Sequence, residues 1–236
     1  MSKYSQSLEV IRSIRQKTDT AVIFHSIVGK DSIALLDMCY PHFKRVICVF
    51  MYLVPNLAHI GRYISWMRTR YPSVEIMQIP HIQRLVMLHN GFFCIPQPEV
   101  KPMKIGEVEE RVRNITGIKF AFSGMKGVDG YMKRMRLKMY ARTGYITDKG
   151  MAYPLALWTN KEVLRYIDDK CLISPYIYEE GKVSQGLSIT YGPLKTLREQ
   201  EPKDFDLIMQ DFPFAQKLFF DHDKAGRNAH SDAQRD

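Results

Sequence analysis

Four short apolar runs alternate with helical patterns, and that alternation restricts what this chain can fold into. The runs are "TAVIFH" (20–25), "RVICVFM" (45–51), "VEIMQI" (74–79) and "IKFAFSG" (118–124). Residues 31–39, 57–71, 81–89 and 104–115 stand between them with apolar side chains at helical spacing, and Pro41 and Pro72 close the first two helices. Apolar runs without polar alternation suit strands covered on both faces, which is the pattern of parallel strands joined by crossover helices. The expected fold is α/β, a doubly wound parallel sheet. A helix over 3–17 precedes the first strand; beyond Gly144, helices are expected at 161–172, 193–200 and 203–212. The organisation that follows is an α/β domain over 1–180, a small helical C-terminal extension over 181–220 and a flexible polar tail over 221–236.

In such sheets ligands sit beyond the carboxyl ends of the strands. The loops leaving His25 and Ser123 are therefore candidates to face one cleft. The first reads "FHSIVGKDSIALL" (24–36). A loop between a buried strand and a helix offers unpaired N–H groups and the positive end of the helix dipole to an anion. Gly29 lets the backbone approach a ligand, Lys30 adds a mobile charge, and Ser26 and Ser32 add hydroxyl donors. Asp31 suits a phosphate site as a helix cap or as a holder of Mg²⁺. This is not a Walker loop, because Phe24 stands where its first glycine belongs and Asp31 follows the lysine; one glycine is too few for a dinucleotide fingerprint.

With 34 basic and 25 acidic residues, the net charge of +9 favours anionic partners. Cys39, Cys48, Cys94 and Cys171 form no CxxC pair, so neither a zinc site nor an iron–sulfur cluster is expected. No apolar stretch is long enough to span a membrane, and the polar N-terminus lacks a secretion signal, so a cytoplasmic setting is expected.

"SIVGKDS" resembles the SGGKDS signature of the PP-loop nucleotide hydrolases, with Ile27 and Val28 in place of the first Ser and Gly and Ser26 supplying the displaced hydroxyl. "YPLALWTNKEVLRYI" (153–167) is similar to a segment of the phosphoadenosine phosphosulfate (PAPS) reductase family, matched at Pro154, Leu155, Trp158, Thr159, Val163, Tyr166 and Ile167. In "FSGMKGVDGYMKR" (122–134), Lys126, Asp129 and Gly130 stand for the family's Arg, Glu and Ser, and Lys133 or Arg134 for its second Arg. "SPYIYEEGKVSQGLSI" (174–189) is similar to a further family stretch at Tyr178, Gly181, Ser184 and Gly186; Tyr176, Tyr178 and Tyr191 are candidates to flank a substrate. The resemblance implies a HUP or Rossmann-like domain of the adenine nucleotide α-hydrolase type. It implies nucleotide contacts from Ser26, Gly29, Lys30, Ser32, Gly124, Lys126, Lys133 and Arg134, with ATP or a PAPS-like nucleotide as ligand.

Reduction of a sulfonucleotide needs a thiolate, and residues 172–236 contain no cysteine. The expectation is therefore activation chemistry: ATP cleaved at the α-phosphate to adenylate an acceptor. Lys30, Asp31 and Ser32 are the catalytic candidates, and Asp31 the Mg²⁺ ligand. Two alternatives stay open: a sulfonucleotide-binding protein or reductase borrowing its thiol in trans, and a nucleic-acid adaptor with a vestigial loop. Residues 128–142 read as one basic helix, with Arg134, Lys138 and Arg142 on an outer face and Val128, Met132, Met135 and Met139 on an apolar one. The outer face suits nucleic acid or another acidic partner. A homo-oligomer is left open.

Overall fold

The computed structural model describes residues 2–181 and 186–232, with side chains through Lys224. The chain divides into two compact units: 1–51, 62–79 and 104–176 make the first, and 52–61, 80–103 and 177–236 the second. The sequence suggested a simple cut near residue 180. The structure instead places two earlier excursions in the second unit, because tertiary packing groups segments irrespective of their order.

The first unit is built on a five-stranded sheet. Its strands are β1 (Thr20–Phe24), β2 (Arg45–Tyr52), β3 (Val74–Pro80), β4 (Ala121–Ser123) and β5 (Met151–Ala152), in the order β3-β2-β1-β4-β5. β1 pairs in parallel with β2 and with β4, and β4 in parallel with β5. This is the expected doubly wound α/β fold, and the strand order reverses between β1 and β4. The fifth strand was not expected from sequence; its two residues are too few to carry a periodic signal.

The helices through residue 169 are α1 (Lys3–Arg15), α2 (Lys30–Cys39), α3 (Ala58–Arg70), α4 (Ile82–Asn90), α5 (Ile105–Thr116), α6 (Tyr131–Met139) and α7 (Asn160–Asp169). Ile11, Ile14, Ile33, Leu35, Leu36, Ile47, Val49 and Phe122 are among the buried apolar residues. The segment that carries the family pattern is structural. Thr159 caps α7, accepting from the Glu162 N–H at 3.3 Å, while the Glu162 carboxylate accepts from the Thr159 N–H at 2.7 Å and from Lys3 at 2.8 Å. Trp158 is buried and donates to Ser7, which donates to the Pro154 carbonyl. Tyr71 and Tyr166 donate to the two oxygens of Asp37.

The second unit holds α4, α8 (Tyr191–Gln200), α9 (Pro202–Asp211) and α10 (Lys217–Asp232). Asp204 is fully enclosed and accepts from the Ala58 and His59 N–H groups at the start of α3, at 2.6 and 2.9 Å, and from His59 Nδ1 at 2.6 Å. Burial alone would raise the Asp204 carboxyl; the hydrogen bonds from His59 and Ala58 outweigh it and hold its pKa below the usual value. Tyr178, a candidate to flank substrate, turns inward to His59 Nε2 at 2.7 Å. Tyr191 stacks on His222 at 3.7 Å between ring centroids. α10 carries the backbone helical through 221–232, where the composition suggested fraying. Ser184, matched to the family stretch, lies outside the described residues. Among the described residues no helix is long and apolar enough to cross a membrane.

Candidate nucleotide site at the β1–α2 turn

β1 ends at Phe24 and α2 begins at Lys30, so residues 25–29 make the turn at the point where strand order reverses. His25 keeps the strand register through its N–H to the Val49 carbonyl at 2.9 Å. The next bend is held by that same histidine: Nδ1 accepts from the Ile27 N–H at 2.8 Å. Ile27 sits at φ 62°, a left-handed conformation that a β-branched residue adopts only under tertiary constraint. Here the constraint is the histidine bond together with complete burial of Ile27 and Val28. A Cβ at Gly29 would lie 2.2 Å from Ser26 Oγ, so a larger residue there displaces that hydroxyl from its place beside Ser32. The N-terminus of α2 carries no side-chain cap, which leaves its first N–H groups for an anion.

Ser26 and Ser32 face one another, with Oγ atoms 3.1 Å apart, and Ser32 Oγ also accepts from the Ser26 N–H at 3.0 Å. Ser26 is exposed, Gly29, Asp31 and Gly124 are half-buried, and Lys30 and Ser32 are buried. Gly124, just past β4, packs so closely on α2 that a Cβ would stand 3.1 Å from the Asp31 Cβ. The β1 and β4 ends thus meet.

The charges form a ladder. Lys30 Nζ lies 3.2 Å from Asp31 Oδ2, which lies 2.5 Å from Lys126 Nζ. Lys126 is also 3.0 Å from Asp129 Oδ1, and Lys133 is 4.0 Å from Asp129 Oδ2. Lys126 has 0% exposure and lies between the Asp31 and Asp129 carboxylates, which engage the charge that the resemblance assigned to phosphate. It binds the β4 loop to α2 between two carboxylates. Its backbone N–H donates to Asp129 Oδ2 at 3.0 Å, closing a short turn over Gly127–Asp129.

Asp31 Oδ2 is likewise committed to ammonium groups, while Oδ1 is buried without a hydrogen-bond partner. Two lysines within 3.2 Å of one carboxylate oxygen repel a divalent cation, so this arrangement does not suit the Mg²⁺ role expected of Asp31. Among the described residues no group of three or more His, Cys, Asp or Glu is placed to hold a metal. Lys133 and Arg134 are exposed at the start of α6; Arg134 Nε donates to the Gly127 carbonyl at 3.3 Å.

His25 is 3% exposed, and burial pulls its pKa down to about 3. It is neutral, with its proton on Nε2 because Nδ1 accepts. Burial also pushes the Cys39, Cys48 and Cys94 thiols up, which keeps them protonated. Cys171 is exposed.

A pH dependence follows from His25. An unfolded histidine protonates near 6.5, whereas His25 resists until about 3. Its contribution to stability is complete above pH 6.5 and is lost as the pH falls through that window, at up to about 1.4 kcal/mol per pH unit. His25→Asn is expected to flatten the decline in denaturant midpoint between about pH 6.5 and 5. An unchanged slope removes this account; His42 and His81, also lowered by burial, supply the remainder.

The model of the phosphoadenosine phosphosulfate reductase domain matches residues 21–193, which includes every residue of this turn. The chain belongs to that family. Among solved structures, the PAPS reductase of Candida auris in a phosphate complex is 15% identical with a TM-score of 0.47, over 71% of this chain and 81% of that one. The U34-tRNA thiolase NcsA of Methanococcus maripaludis, solved with its [4Fe-4S] cluster, is 14% identical with a TM-score of 0.44, over 89% and 77%. No curated protein matches the sequence. The family pattern locates the turn and the Lys126–Asp129 segment; it gave no sign that Lys126 would be enclosed, because its partner Asp31 lies far away in sequence.

Proposed function

We propose that this PAPS reductase-family chain binds an adenine nucleotide at the β1–α2 turn and cleaves ATP between its α- and β-phosphates, transferring adenylate to an acceptor. The observation that carries the reading is the uncapped N-terminus of α2, with Lys30 in its first turn, at the reversal of strand order. In the step, a nucleophilic atom of the acceptor attacks the α-phosphorus, the bond to the bridging oxygen breaks, and pyrophosphate leaves with the electron pair. Lys30 and the α2 N–H groups neutralise that leaving group. Ser26, exposed and oriented by Ser32, donates to a phosphate oxygen. Lys133 and Arg134 supply solvent-facing cations, while Lys126 and Asp31 fix the loop and do not touch the nucleotide.

The competing reading, a sulfonucleotide ligand, shares the anion site and differs in the group beyond the α-phosphate. Titration calorimetry with ATP and PAPS side by side separates them. The proposal expects ATP to bind and pyrophosphate to appear on addition of acceptor candidates. Binding of PAPS with no heat from ATP replaces it with the sulfonucleotide reading.

A further inference from the structure

The sequence pattern of α6 suggested basic residues outward and methionines inward. The structure turns the helix differently. Leu137 is its buried residue, so it marks the inward direction. At about 100° per residue, Tyr131, Met132, Met135 and Met139 fall on the opposite side, with Arg136 along one edge and Lys138 along the other. Exposure agrees: Tyr131 is 69% exposed, Met132 76% and Met139 74%. The cause lies at Gly130, whose φ of 146° and ψ of 163° are reserved for glycine and reset the direction of the chain before α6 starts. The helix is also shorter than the basic run, with separate 3-10 turns at Gly127–Asp129 and Ala141–Thr143.

The result is an exposed apolar pole bordered by cations, with no acidic residue from Gly130 to Thr147. Self-association through this face sets like charges against each other. Duplex nucleic acid and inorganic polyphosphate satisfy the cations but leave the methionines and Tyr131 in water. A single strand offers both features at once, phosphates for the edges and base faces for the pole.

We propose that the exposed pole of α6 is a docking surface for single-stranded nucleic acid, with Arg136 and Lys138 on phosphates and Tyr131 stacked on a base. The surface is independent of nucleotide cleavage at α2. The Lys30→Met variant is expected to keep it, so failure of one reading is distinguishable from failure of the other.

The test is fluorescence anisotropy of the intact chain with labelled single-stranded RNA and DNA 20-mers, the matched duplex, and phosphatidylserine vesicles as a control. The single strands are expected to bind more tightly than the duplex. Log affinity should fall linearly with log salt, by roughly 0.7 per phosphate contacted. Arg136→Glu with Lys138→Glu should weaken binding by at least about tenfold. Tyr131→Ala should weaken single-strand binding by about fivefold or more with the salt slope unchanged. Because these side chains are exposed, wild-type melting temperatures are expected throughout. Either sugar satisfies the proposal. Equal affinity for duplex, an unaffected Tyr131→Ala, binding to vesicles alone, or no binding at low salt each overturns it.

Discussion

Lys30→Met is expected to lower pyrophosphate release by about 10²–10³-fold while leaving the melting temperature within a few degrees of wild type. The rate effect follows from its place in the first turn of α2, where its charge would meet the β- and γ-phosphates as negative charge builds on the leaving group. The fold survives because Asp31, the carboxylate that Lys30 faces at 3.2 Å, keeps a closer partner in Lys126 at 2.5 Å. Methionine retains the buried stem and removes only the ammonium group. Steady-state pyrophosphate release and thermal unfolding measured on the same preparation give the two readings. Wild-type turnover in this variant excludes Lys30 from the reaction.

Lys126→Met is expected to do the reverse, costing about 3 kcal/mol of stability. Lys126 is enclosed between Asp31 and Asp129, and removing it strands two carboxylates in a setting with little water. The expected cost sits at the low end for breaking a buried ion pair because Lys30 and Lys133 remain beside the two aspartates. For a chain of this size the melting temperature should fall by roughly 6–12 °C. Adding Asp31→Asn and Asp129→Asn to Lys126→Met should recover much of the loss, since the charges then disappear together. A single variant that melts like wild type contradicts the structural role; one that melts normally and loses nucleotide affinity returns Lys126 to the phosphate site.

The contrast between these two lysines shows how far the sequence could be read. Both stand in motifs that resemble a nucleotide-binding family, and both were assigned to phosphate. The turn around Lys30 is a local object: an apolar strand, a glycine and a helix start lie within fifteen residues, so spacing and residue type suffice. Lys126 acts through Asp31 on a different strand's loop, and only the pairing of β1 with β4 brings them together. α6 failed for a related reason. Its periodicity correctly groups the methionines on one side, but periodicity does not say which side the protein covers. The backbone of Gly130 and the burial of Leu137 decide that.

Local sequence patterns specify the parallel α/β sheet, most of its helices and the position of the β1–α2 turn. Each of these rests on hydrophobic period and turn chemistry within short windows. Only the tertiary structure decided the reach of each charge: Lys126 sealed between two aspartates, Asp31 held by lysines, His25 neutral beneath the loop, and methionines facing water. Those outcomes depend on desolvation and on partners far along the chain, and no local pattern of residues encodes either.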